Sequence, residues 1–132
     1  MKISQGLVDE MVVHALEDRP NECCGMVAGK DGVAVEVLRG VNVAASPLRY
    51  EMTGQSFYDM FTAIENKGLD LIAIYHSHTK STAYPSQTDV NQAQHWPEPI
   101  YVIVSLVDEE KPDVKGFHLA DLKIVDAELE IG

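Results

Sequence analysis

Two histidines, a serine and an aspartate stand close together in Tyr75-His76-Ser77-His78-Thr79-Lys80-Ser81-Thr82-Ala83-Tyr84-Pro85-Ser86-Gln87-Thr88-Asp89. The continuous apolar run from Leu71 to Tyr75 leads into this segment, and such a run forms a strand covered on both faces. At the end of that strand residues i and i+2 share a face, so His76 and His78 can aim at one point. Two neutral imidazoles make half of a zinc site, and a carboxylate can make the third donor. A helix beginning at Ser86 carries Asp89 one turn on, presenting both side chains at its N-terminal end. His, His, Asp and a water then meet the count of a catalytic zinc, which keeps three protein ligands and one open position. Each part also has a plainer use. A His-x-His pair alone is weak, and Ser86 with Asp89 three residues later is also a helix-start pattern. Glu22 alone reads as a solvated turn carboxylate. Capping and ligation are compatible, because capping would fix the helix that delivers Asp89.

The elements that position these residues follow from hydrophobic spacing. Ser4 is placed to cap a helix to about Asp18, with Leu7, Met11, Val12, Ala15 and Leu16 on one face, ended by Pro20-Asn21. Cys24 to Gly29 is a short apolar run closed by glycine, hence a buried strand. Lys30-Asp31-Gly32 carries the Asp-Gly step of a hairpin turn, and Val33 to Leu38 alternates as its second strand. Val41 to Arg49 reads as a loop, and Tyr50-Glu51-Met52 as a short strand. Ser56 to Lys67 carries Phe57, Met60, Phe61 and Ile64 at helical spacing and stops at Gly68. A short helix runs from Ser86 through Gln94, Ile100 to Val107 is a further buried strand, and Asp113–Leu119 and Ile124–Ile131 close the sheet as antiparallel strands. The expected fold class is α/β (α+β): one domain over residues 1–132, with a central mixed sheet and two or three helices.

The chain has 132 residues, and its 10 Lys+Arg against 21 Asp+Glu give a net charge of −11. Hydrophobic residues make up 45%, enough apolar surface to exclude disorder despite the acidity. The charge argues against nucleic acid and anionic membranes, both of which require clustered Lys and Arg. The two cysteines, Cys23 and Cys24, are adjacent and have no third partner, so a disulfide framework is excluded. The N-terminal segment lacks the apolar stretch of a signal peptide, and Ile100 to Val107 falls far short of the roughly 20 residues a membrane helix needs. A reduced, cytoplasmic setting is the expectation.

Taken together, the His76-x-His78, Ser86 and Asp89 spacing resembles the JAMM (MPN+) motif of zinc metallopeptidases. Pro20-Asn21-Glu22-Cys23-Cys24-Gly25 is similar to the Pro-x-Glu-x-Cys-Gly element of that family. The order of helices and strands also resembles that family over roughly residues 1–120. The resemblance implies a JAB/MPN-like domain, with a curved mixed sheet flanked by two main helices and a short zinc-site helix. It implies His76, His78 and Asp89 as Zn²⁺ ligands, Glu22 as general base and Ser86 as hydrogen-bond donor to the developing oxyanion. The reaction implied is hydrolysis of an amide or isopeptide bond after the Gly-Gly tail of a ubiquitin-like or sulfur-carrier protein. Thr79 stands where most members have proline. With the short approach Ala83-Tyr84-Pro85-Ser86, this is similar to the bacterial branch that releases cysteine from a carrier–cysteine adduct. Thr79 weakens any transfer of deubiquitinase specificity but leaves the implied ligands untouched.

Other readings compete. A cysteine hydrolase could use Cys23 or Cys24, although buried cysteines in apolar strands usually behave as small hydrophobes. Zinc deaminases need a Pro-Cys-x-x-Cys element, which is missing. A non-catalytic MPN scaffold would lack metal ligands, whereas every motif residue is present here. Broader removal of ubiquitin-like tags stays open, since selectivity rests on the loops Val41–Tyr50 and Thr79–Pro85. His14 is expected to be a surface or packing residue, and His95 and His118 have no assigned role.

Overall fold

The computed structural model describes residues 1–132. Its strands and helices run β1 (Lys2–Ile3), α1 (Gln5–Asp18), β2 (Cys24–Lys30), β3 (Val33–Arg39), α2 (Gly54–Asn66), β4 (Asp70–His78), α3 (Gln87–Ala93), β5 (Ile100–Ser105), β6 (Asp113–His118), β7 (Val125–Ala127) and β8 (Glu130–Ile131). The strands form one mixed eight-stranded sheet in the order β7-β6-β5-β4-β2-β3-β1-β8. The expected α/β class with three helices holds, and no helix is long and apolar enough to cross a membrane.

Strand alternation divides the molecule into two layers of core. Ala73 and Tyr75 of β4, Val27 of β2, Val102 and Val104 of β5, and Cys23 just before β2 pack with Val8, Met11 and Ala15 of α1. The intervening residues Ile74, Tyr101 and Ile103 pack on the other side, with Val90 and Ala93 of α3. Met26 and Ala28 of β2 meet Ile64 of α2 on that same side. His76 and His78 follow the parity of Ile74, so the strand carries them to the α2/α3 side. A side chain buried on each face pins this register, because a slip of one residue would turn every group over.

The local signals account for the element ends. Ser4 Oγ accepts the Leu7 N–H at 3.2 Å and caps α1. Asp31 and Gly32 both take positive φ, 50° and 78°, as a two-residue hairpin loop matching strand twist requires. Gly25 is a close-approach glycine: a Cβ there would lie 2.4 Å from the Leu38 carbonyl oxygen and from the Tyr75 ring. Backbone and a wedged ring leave no cheap relief, so Gly25→Ala is expected to destabilise the fold by about 1–3 kcal/mol, read as a lower urea midpoint with unchanged slope.

Four sequence expectations are corrected. Tyr50-Glu51-Met52 is not a strand, because the Asn42 side chain, rather than a neighbouring strand, accepts the Glu51 N–H at 3.0 Å. The helix expected from Ser56 begins at Gly54, since Thr53 Oγ1 accepts the Ser56 N–H and caps it. The strand expected to reach Val107 ends at Ser105, whose Oγ donates to the Ser81 carbonyl and accepts the Val107 N–H. The C-terminal stretch is not one antiparallel strand: β7 pairs antiparallel with β6, whereas β8 pairs parallel with β1, a two-residue strand too short for any sequence signal.

Candidate metal centre

β4 and α3 bring the segment's donors to one point. His76 Nε2 lies 3.1 Å from His78 Nε2 and 3.1 Å from Asp89 Oδ2, and His78 Nε2 lies 3.0 Å from the same oxygen. All three side chains are buried. Ser86 caps α3 and forms a reciprocal capping box with Asp89. Its Oγ accepts the Asp89 N–H at 3.1 Å, while its own N–H donates to Asp89 Oδ2 at 2.9 Å. That box fixes the carboxylate rotamer, so the capping and donor uses of Asp89 coincide in one geometry.

The tautomer of His78 follows from its second nitrogen. Nδ1 lies 2.8 Å from the Thr82 carbonyl oxygen, which can only accept, so Nδ1 carries the proton. Neutral His78 then presents a bare Nε2 lone pair to the cluster, the arrangement usual for a metal-ligating histidine. Burial opposes charge on His78, but the Asp89 hydrogen bond, the Thr82 carbonyl and the Asp89 charge outweigh it and raise its pKa. Burial likewise opposes charge on Asp89, yet His76, His78 and the Ser86 N–H hold its carboxyl well below the usual range. Three donor atoms about 3 Å apart thus share a slot that favours positive charge.

Glu22 completes the constellation from β2. Cys24 pairs with His76 and Gly25 with Tyr75, so the same antiparallel register sets Glu22 opposite His78, on the same side of the sheet. Glu22 is 4% exposed, and its Oε1 is buried without a hydrogen-bond partner. Burial pushes its carboxyl up to about 8, His78 pulls it down and the Asp89 charge pushes it further up. A buried carboxylate without a partner is costly unless something positive stands beside it.

The donor set passes a direct test for a cation. Tetrahedral ligands at roughly 2.0–2.1 Å from zinc stand about 3.3–3.4 Å apart, close to the spacing here. Two imidazoles and a carboxylate suit a borderline ion such as zinc better than a hard oxygen-seeking one. The orphaned Glu22 Oε1 lies beside the slot, available to a water rather than committed to the protein.

The remaining candidates stand elsewhere. Cys23 and Cys24 are fully buried, and burial pushes both thiols up to about 12, which removes the thiolate a cysteine hydrolase requires. His14 is a packing residue on the α1 side, its Nδ1 2.7 Å from the Tyr75 hydroxyl. His95 and His118 are exposed. Sequence reasoning missed Thr82, which acts through its carbonyl and has no side-chain signature. It also missed Tyr50, whose ring stacks on His76 with centroids 4.6 Å apart and planes at 25°. A lone aromatic between Arg49 and Glu51 carries no periodicity that would have revealed this.

Comparison with known proteins fits the geometry. Residues 4–119 match the family model described as prokaryotic homologs of the JAB domain. The chain is 35% identical over 121 residues to the CysO-cysteine peptidase of Mycobacterium tuberculosis, covering 90% of this chain and 82% of that one. It is 39% identical over 104 residues to the desampylase of Haloferax volcanii, covering 74% of each. A solution structure of a Desulfitobacterium hafniense protein superposes with a TM-score of 0.90 at 27% identity, covering 99% of this chain and 92% of that one.

Proposed function

Because the chain belongs to the family of prokaryotic homologues of the JAB domain and is a peptidase within it, we propose that it is a zinc enzyme that hydrolyses the bond at the C-terminal Gly-Gly tail of a sulfur-carrier or ubiquitin-like protein. Its preferred substrate is a carrier–cysteine adduct, from which it releases free cysteine. The observation that carries this reading is the convergence of His76 Nε2, His78 Nε2 and Asp89 Oδ2 within 3.1 Å, beside a buried carboxylate with an unpaired oxygen. The CysO-cysteine peptidase named among the relatives supports the choice of adduct.

The two nitrogens and the Asp89 oxygen would hold the metal. Zinc bound there supplies a Lewis acid that polarises the scissile carbonyl and makes water nucleophilic near neutral pH. The chain's own groups do the rest. Glu22 takes a proton from the attacking water and returns it to the leaving nitrogen as the C–N bond breaks, a role worth about 10²–10⁴-fold. Ser86 Oγ accepts the Asp89 N–H, which leaves its own hydroxyl proton free, and Ser86 is exposed. That hydroxyl donates a hydrogen bond to the oxygen of the tetrahedral intermediate; one such donor is worth about 2.7–4 kcal/mol in a comparable hydrolase.

Mass spectrometry of a sulfur-carrier protein bearing a C-terminal cysteine, incubated with the enzyme, tests the reading. Loss of one cysteine residue, abolished by a chelator and restored by zinc, is the expected outcome. Cleavage of a ubiquitin-like fusion with the carrier adduct left intact would move the substrate to the broader class, for which the desampylase relative speaks. Cleavage of neither, with no metal by elemental analysis, would leave a scaffold module.

A further inference from the structure

Glu22 lies just outside the regular ladder of β2, yet both of its backbone groups are held by the 40–52 loop. Its N–H donates to the Ser46 carbonyl at 2.9 Å, and its carbonyl accepts from Asn42 Nδ2 at 3.0 Å. Asn42 also donates to the Arg49 carbonyl at 3.0 Å and accepts the Ala44 and Glu51 N–H groups at 3.1 and 3.0 Å. These four bonds use the two donors and two lone pairs of an asparagine amide completely. Three of them bear on the site: one on Glu22, and two on the peptide groups either side of Tyr50.

Tyr50 is 5% exposed, its ring is stacked on His76, and its carbonyl accepts from Gln92 Nε2 of α3 at 3.0 Å. The contrast between the two histidines gives that stack its meaning. His78 is oriented by a hydrogen bond from Nδ1, the usual device for a metal ligand, whereas His76 Nδ1 is buried with no partner. We propose that Asn42 and Tyr50 are positioning residues: Asn42 clamps the backbone of Glu22 and seats Tyr50, whose ring orients the His76 imidazole in place of a hydrogen bond. The inference rests on the proposed roles of His76 as ligand and Glu22 as base. One loop thus sets both the metal side and the proton-transfer side of the site.

The test measures zinc affinity by chelator competition, and kcat at saturating zinc, for Tyr50→Phe, Tyr50→Leu, Asn42→Ala and the Asn42→Ala/Tyr50→Leu double variant. Tyr50→Phe keeps the aromatic face and should bind zinc as the wild type does. Tyr50→Leu keeps apolar bulk but loses the face, and should bind zinc about tenfold more weakly. Excess zinc should then restore most of its kcat. Asn42→Ala should also weaken zinc binding, but add nothing to the loss already present in Tyr50→Leu, because it acts through that ring. Its kcat should stay low in excess zinc, since Glu22 remains unclamped. Wild-type zinc affinity in Tyr50→Leu, or full additivity in the double variant, overturns the proposal. Should Asn42→Ala fail to fold, Asn42→Asp, which keeps acceptors for the Ala44 and Glu51 N–H groups but loses the donors to Glu22 and Arg49, replaces it in both measurements. A wild-type protein that binds no zinc would instead remove the functional reading on which it stands.

Discussion

Glu22→Gln is expected to fold, bind zinc at one equivalent and lose about 10²–10⁴-fold in kcat, with KM little changed. The fold should survive because the backbone bonds of Glu22 to Ser46 and Asn42 do not involve its side chain, and Oε1 has no protein partner to lose. Zinc should stay because the three converging donors are His76, His78 and Asp89. On the role proposed for Glu22, only the capacity to take a proton and give it back is removed. Burial pushes the Glu22 carboxyl up to about 8, so the protein invests in keeping an ionisable group where a neutral amide would be cheaper. The checks are steady-state kinetics, elemental analysis and a thermal melt on one preparation. Wild-type turnover in a zinc-replete variant would remove Glu22 from the mechanism.

Asp89→Ala carries the second large effect, a joint loss of metal and activity. Asp89 Oδ2 is the one atom close to both imidazole nitrogens and also accepts the Ser86 N–H. Its removal takes away the only anionic donor among the three and half of the capping box of α3 at once. Zinc stoichiometry should fall to near zero under conditions that saturate the wild type, with activity no higher than that of chelator-treated wild type. The lost cap should cost a further amount of about 1 kcal/mol in stability, seen in the metal-free proteins so that zinc does not contribute. A fully active, zinc-free Asp89→Ala protein would sink the donor assignment.

The contrast between Thr82 and His78 shows where sequence reading stops. His76 and His78 were legible because a continuous apolar run identifies the strand and strand parity then fixes a shared face. Ser86 and Asp89 were legible because capping has a fixed spacing. Glu22 needed the resemblance, since nothing local distinguishes it from a turn carboxylate; its meaning comes from a pairing register with a strand some fifty residues away. Thr82, Asn42 and Tyr50 act through a carbonyl, an amide and a ring face in loops without periodicity, and no spacing rule reaches them. The parallel β8 escaped for a related reason, because a two-residue strand has no pattern to read.

The two-sidedness of β4 has a consequence for how this protein can change over evolutionary time. Substitution at His76 or His78 damages the site by degrees, but a change in length between Ala73 and Tyr75, where β4 pairs regularly with β2 beyond the bulge at Ile72, does not. One residue added or lost there turns the strand over from that point, sending both imidazoles into the α1-side core and bringing Tyr75 and Ser77 round to α3. Insertions and deletions in this stretch are therefore excluded as strictly as loss of a histidine, although none of its residues takes part in the chemistry. At Gly68, just upstream, φ is 71° and a Cβ would meet nothing within 4 Å. There the chain can lengthen without shifting the register, so variation in length should collect in that turn and stop short of Ala73, where the regular ladder begins.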